Sequence, residues 1–173
     1  MNIYLIRHTS VNVPKGICYG QTDVPLNDTF EEEAKVVKQK LDSISVDTVY
    51  SSPLTRCKRL AKYCKEKHDI IYKPELKEMN FGNWEMQKWL EVDYSAWDKD
   101  WVNNPVPNGE SFKQMYDRVT SFFDKLKEKE HNNVAIFTHG GVLACASIYF
   151  EGLSPEEAFE LKIDYGHILN YQI

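Results

Sequence analysis

The sequence predicts an α/β protein, a three-layer α/β/α sandwich around a largely parallel central sheet. Three observations lead there. Short runs rich in β-branched and aromatic residues, at 2–7, 46–50 and 133–138, alternate with longer stretches whose apolar residues repeat at helical spacing. The signals that start helices fall between those runs, not inside them. At 173 residues the chain is long enough for one full core, and a single domain over 1–173 is expected. In such a sandwich the crevice lies at the carboxyl ends of the parallel strands, so functional residues are sought directly after strands.

The elements follow in order. Residues 2–7 are an apolar run with polar flanks and read as a buried strand. Thr29 with Glu32 matches a capping box ahead of a helix over 31–41. After the second strand at 46–50, Ser52 and Pro53 signal a helix over 54–65, with the proline at its first position. Residues 84–107 hold all four tryptophans (Trp84, Trp89, Trp97, Trp101), many acids and two prolines without a strand pattern, and read as an excursion over the crevice. Phe112, Met115, Val119, Phe122, Phe123 and Leu126 form one stripe of a helix over 110–129 that should face a sheet. The third strand, 133–138, leads into His139-Gly140-Gly141 at a helix start. Ser154-Pro155-Glu156-Glu157 then opens a last helix, and a closing strand lies within 166–173.

Composition removes several classes of function. With 42% hydrophobic and 27% charged residues the chain is an ordinary globular protein. A net charge of −5 opposes a duplex nucleic acid, so no nucleic-acid partner is expected. No apolar run is long enough to span a bilayer, and no leader is visible at the N-terminus, so no membrane is expected. Cys18, Cys57, Cys64 and Cys145 are scattered without C-x-x-C pairs, the pattern of reduced thiols and a cytoplasmic location.

The chemistry-bearing residues sit where the topology asks for them. His8 follows Arg7 at the end of the first strand. Alone it reads as a structural histidine. His139 occupies the equivalent place after another strand, and its glycines let backbone N–H groups approach an anion. Two strand-end histidines in one crevice are harder to dismiss. Arg7 and Arg56 add guanidinium groups able to bind phosphoryl oxygens with paired hydrogen bonds, whereas Lys58 and Arg59 read as a solvated face. Glu78 lies amid apolar neighbours and can serve as an acid, although a surface salt bridge remains open and Glu75 and Glu85 are close by. His68, His131 and His167 are isolated, so no metal is expected.

Five blocks in order, Leu5-Ile6-Arg7-His8-Thr9, Ser51 to Cys57, Glu78 to Glu85, Pro107 to Ser111 and Thr138 to Gly141, resemble the histidine phosphatase (phosphoglycerate mutase-like) superfamily over nearly the whole chain. The resemblance implies a phosphomonoesterase with no cofactor. It makes His8 the nucleophile and Glu78 the proton donor, and it has Arg7, Arg56 and His139 bind the transferring phosphoryl group. All five positions are filled, which argues against an inactive phospho-ligand-binding relative.

The run Cys18-Tyr19-Gly20-Gln21-Thr22-Asp23-Val24-Pro25-Leu26 is further similar to the alpha-ribazole phosphatase branch. Thr9, Ser10 and Pro14 depart from the mutase pattern of glycine, glutamate and asparagine. The branch acts on the 5′-phosphate of a nucleotide in cobalamin assembly; a sugar phosphate or phosphoglycerate is the alternative. By the same transfer, Gly20, Gln21 and Thr22 are substrate or phosphate contacts, and Ser111 and Gly140 add N–H donors. The resemblance thus implies a small-molecule phosphomonoester partner; the oligomeric state, monomer or homodimer, is left open by the sequence. The tryptophan-rich segment either stacks on the base or covers the core.

Overall fold

The computed structural model describes residues 1–173. Five strands form one sheet in the order β3-β2-β4-β1-β5, with β1 (Asn2–Arg7), β2 (Thr48–Ser51), β3 (Ile70–Tyr72), β4 (Asn133–Thr138) and β5 (Ile168–Gln172). All neighbours are parallel except β5, which runs antiparallel to β1 at the edge.

Side chains on successive strand residues point to opposite faces, and the sheet uses both. Ile3, Leu5, Val134 and Ile136 join one core with α3 (Phe112–Lys127) and α4 (Gly140–Glu151). Ile6, Val49, Ala135 and Phe137 join a second with α1 (Phe30–Asp42) and α2 (Thr55–Cys64). The sheet is therefore covered on both sides, which is why its strands read as continuous apolar runs. No helix is long and apolar enough to cross a membrane.

The expected stripe of α3 is buried as a set, and Ser111 starts the helix: its hydroxyl accepts from the Gln114 N–H at 3.2 Å, while its own N–H donates to the Gln114 side chain at 2.8 Å. The same box forms at Ser154 and Glu157 with Pro155 at the first position of α5 (Pro155–Glu160).

Several local expectations are corrected. Thr29 does not cap α1, because its backbone is not extended; its hydroxyl donates to Glu33 at 2.6 Å instead. Pro53 precedes the cap residue Leu54, so α2 begins later than predicted. Strand β3 was unpredicted, being three residues long with Ile71 and Tyr72 exposed. The extent of α4 was also illegible, because Val142 to Ser147 are buried on all sides and carry no helical period.

Candidate active site

In-register pairing of β1 with β4 builds the site. Arg7 pairs with Thr138, so the next residues, His8 and His139, emerge side by side at the carboxyl ends of two adjacent strands. Their rings are 5.2 Å apart and meet edge to face. Both histidines are buried.

Hydrogen bonding decides which nitrogen of His8 is free. Its Nδ1 lies 2.7 Å from the Thr9 carbonyl, which can only accept, so the proton sits on Nδ1 and Nε2 keeps its lone pair. Burial, then the nearby Arg56 charge, holds the imidazole well below the ordinary histidine range, against the pull of the Thr9 bond; Arg7 lowers it further. The ring is therefore neutral at pH 7, with Nε2 free.

His139 is fixed the other way round. A guanidinium has only donors, so Arg56 Nε, at 3.3 Å, donates to Nδ1; Nε2 then carries the proton and donates to the Ser52 hydroxyl at 2.8 Å. Burial first, then Arg56 and His8, keeps it well below the usual range. Both ring nitrogens are thus engaged, and the ring braces Arg56.

Arg56 is 0% exposed. Its Nη1 donates to the Thr22 carbonyl at 3.0 Å and its Nη2 to the Gly20 carbonyl. Arg7 donates from Nη1 to the Ile163 carbonyl and lies 4.2 Å over the Tyr165 ring, while its Nε is buried without a partner. Neither arginine takes part in an ion pair. A buried and a half-buried guanidinium without a counter-charge are costly, and a bound anion lowers the cost.

Glu78 closes the group. Its Oε2 accepts from the Gly141 N–H at 3.2 Å and its Oε1 from the Met79 N–H at 2.9 Å, at the start of α4. Of the three nearby acids it alone lines the cavity; Glu75 faces a small lysine-rimmed pocket elsewhere, and Glu85 faces the turn at Gly20.

The cavity, of about 260 Å³, is lined by Arg7, His8 and Glu78 together with Tyr19, Phe81, Trp89, Phe112, Met115 and Phe159. A second opening of about 220 Å³ meets it at Arg7, Glu78, Gly141 and Phe159, and is lined by Gly140 as well. Trp84 is buried in the core and Trp97 and Trp101 pack against it, so of the four tryptophans only Trp89 reaches the cavity.

The remaining expected contacts are placed as follows. The Ser111 N–H is consumed by the helix cap, and Gln21 and Thr22 line neither opening. The amides of Gly20, Gln21 and Thr22 all turn to Glu85, and the Gln21 side chain donates to the Glu78 carbonyl at 3.0 Å.

The structure also brings in residues that the sequence reading gave no site role. Tyr19 and Tyr165 hydrogen-bond through their hydroxyls at 2.7 Å, their rings lying by Arg56 and Arg7. Arg118 donates to the carbonyls of Glu75 (2.7 Å), Lys77 (2.8 Å) and Glu78 (2.9 Å) and pairs with Glu110 at 2.6 Å, pinning the segment that carries Glu78. No local signal marked Arg118, which sits beside the apolar stripe of α3. Ser52 was visible only as a helix-start residue.

The family model described as "Histidine phosphatase superfamily (branch 1)" matches residues 3–173. Adenosylcobalamin/alpha-ribazole phosphatases of Escherichia coli K12 and Salmonella typhimurium are 32% and 34% identical, each over 96% of this chain and 87% of the relative. The crystal structure of the alpha-ribazole phosphatase from Shigella flexneri superposes with a TM-score of 0.91 at 31% identity, covering 100% of this chain and 91% of that one. With the family matched over nearly its whole length, the chain belongs to the histidine phosphatase superfamily and is a phosphatase.

Proposed function

We propose that this phosphatase removes the 5′-phosphate of alpha-ribazole 5′-phosphate, or of its cobamide-attached form, through a phosphohistidine on His8. The observation that carries the reading is the make-up of the cavity wall. Its one lining cation is Arg7, next to His8 in the chain, and most of the wall is apolar or aromatic. A leaving group with a flat aromatic base fits that wall, whereas a phosphoglycerate or phosphoserine brings a carboxylate with no second cation to meet it. The names of relatives at 32% and 34% identity support the same substrate class.

The steps follow from the groups present. His8 Nε2 attacks phosphorus in line, forming the N–P bond as the ester P–O bond breaks. Arg7 and Arg56 stabilise the equatorial oxygens, Arg56 being held by His139. Glu78 gives its proton to the departing alkoxide. Water then attacks phosphohistidine and loses a proton to the Glu78 carboxylate; the N–P bond breaks, releasing inorganic phosphate and free His8.

The test has two arms. Mixing with ³²P-labelled substrate and quenching should trap an acid-labile, base-stable phosphoenzyme that is absent in His8→Ala; label retained in that variant removes the mechanism. Ranking kcat/KM over a panel of phosphomonoesters should put the alpha-ribazole nucleotide first. A carboxylated substrate at the head of the list removes the substrate assignment and leaves the mechanism standing.

A further inference from the structure

One carboxylate beside the site receives five donors and no cation. Glu85 Oε2 accepts from the amides of Gly20 (3.0 Å) and Thr22 (2.9 Å) and from the Thr22 hydroxyl (2.5 Å), and Oε1 accepts from the amides of Gln21 (2.8 Å) and Phe81 (3.2 Å). None of the ion pairs includes Glu85. Burial alone would raise this carboxyl; hydrogen bonds from Thr22, Gly20 and Gln21 outweigh burial and hold it below its ordinary range.

The backbone is shaped to keep it there. A Cβ at Gly20 would lie 1.9 Å from the Met79 carbonyl and 2.8 Å from Glu85 Oε1, so only glycine lets the turn close on the carboxylate. Met86, the next residue, is left-handed at φ 64, a conformation that costs a side-chain-bearing residue about 1 kcal/mol or more. It is retained by two hydrogen bonds, from Met86 N–H to the Cys18 carbonyl (2.7 Å) and from Cys18 N–H to the Gln87 carbonyl (2.8 Å).

The far side of the same turn holds Arg56. The N–H and C=O of a trans peptide point in opposite directions. In the Gly20–Gln21 peptide the N–H donates to Glu85 and the C=O accepts from Arg56 Nη2. The peptide dipole therefore lies in line between a carboxylate and a guanidinium that never touch.

We infer that Glu85 is a positioning residue of the phosphatase, holding Arg56 in the phosphoryl site through the Gly20–Gln21 peptide. The inference rests on the proposed reading of Arg56 as a phosphoryl-binding group. It does not depend on which substrate is natural.

Calorimetric binding of inorganic phosphate, with steady-state kinetics alongside, tests it in Glu85→Gln, Arg56→Ala and the double variant. Gln presents an NH₂ to one set of amide donors, so E85Q should weaken phosphate binding by about tenfold and lower kcat/KM by a similar factor for every phosphomonoester, since Arg56 meets the group they share. In the R56A background E85Q should have no further effect on phosphate binding. Wild-type phosphate affinity in E85Q, or an equal loss with and without Arg56, overturns the inference. Unchanged affinity in R56A sinks the placement of Arg56 and this inference together; loss in R56A without loss in E85Q sinks only the latter. If E85Q does not fold, Thr22→Val, which removes the hydroxyl donor alone, decides in the same two backgrounds: a loss of about threefold that vanishes without Arg56 supports the inference, and any other pattern overturns it.

Discussion

At the scale of single residues, the site works by assigning a job to each nitrogen. The Thr9 carbonyl takes the Nδ1 proton of His8 and leaves Nε2 bare, while Arg56 and Ser52 occupy both nitrogens of His139. Because burial and Arg56 hold His8 well below 6.5, its protonation should not limit the free enzyme until the pH is well under that value. A pH profile of kcat/KM whose His8-dependent acid limb lies at 6.5 or above contradicts a buried neutral nucleophile. Two adjacent glycines give a sharper contrast. A Cβ at Gly141 would lie 2.3 Å from Glu78 Oε1, whereas one at Gly140 stays 3.4 Å from Arg7. Gly141→Ala should therefore lower kcat/KM by about a hundredfold by displacing Glu78, and Gly140→Ala by only a few-fold, with both proteins folded by circular dichroism.

At the scale of elements, helix starts and the aromatic wall make separable contributions. Ser111 caps α3 and faces no ligand, so Ser111→Ala should cost about 1 kcal/mol in denaturant unfolding while leaving KM unchanged; a raised KM with intact stability would restore the substrate contact expected from sequence. Trp89 lines the cavity and stacks with Tyr94 at 6.3 Å, whereas Trp84, buried in the core, meets it nearly edge-on. Trp89→Ala should lower kcat/KM roughly tenfold for a substrate with an aromatic base and leave glycerol phosphate within about twofold. An equal loss on both substrates means that the ring only supports the fold.

At the scale of the whole molecule, the uncompensated positive charge of the crevice is a stability term. Inorganic phosphate at a hundred times its Kd should stabilise the folded state by about 2.7 kcal/mol, a rise in Tm of roughly 5–10 °C by calorimetry. No rise in Tm would mean that Arg7 and Arg56 do not form an anion site. The histidines set the acid side. His8 and His139 are held below 6.5 when folded, so the unfolded chain binds more protons as pH falls through that value. Their contribution to stability is fully present above pH 6.5 and is lost as pH falls toward their folded values. Each histidine adds a slope of up to about 1.4 kcal/mol per pH unit in that window. His8→Asn should flatten the stability–pH curve by about one such increment, and an unchanged slope would mean that His8 titrates freely.

Residues adjacent in sequence were legible because local chemistry specifies them. β1 and β4, the stripe of α3, the Ser154 box and the His8–Arg7 and His139–Gly140 pairs need only periodicity, cap chemistry and strand ends to be recognised, and the five ordered blocks then point to the phosphatase family. What the tertiary structure decided is everything carried by partners distant in sequence. Whether Ser111 touches a ligand or a helix N–H, which way the amides of Gly20 to Thr22 turn, and that Arg118 pins the Glu78 segment from 40 residues away depend on packing between elements. Short-range patterns record the backbone preferences of neighbouring residues. A hydrogen-bond partner for a buried charge is chosen only when the core has closed around it and water is no longer available.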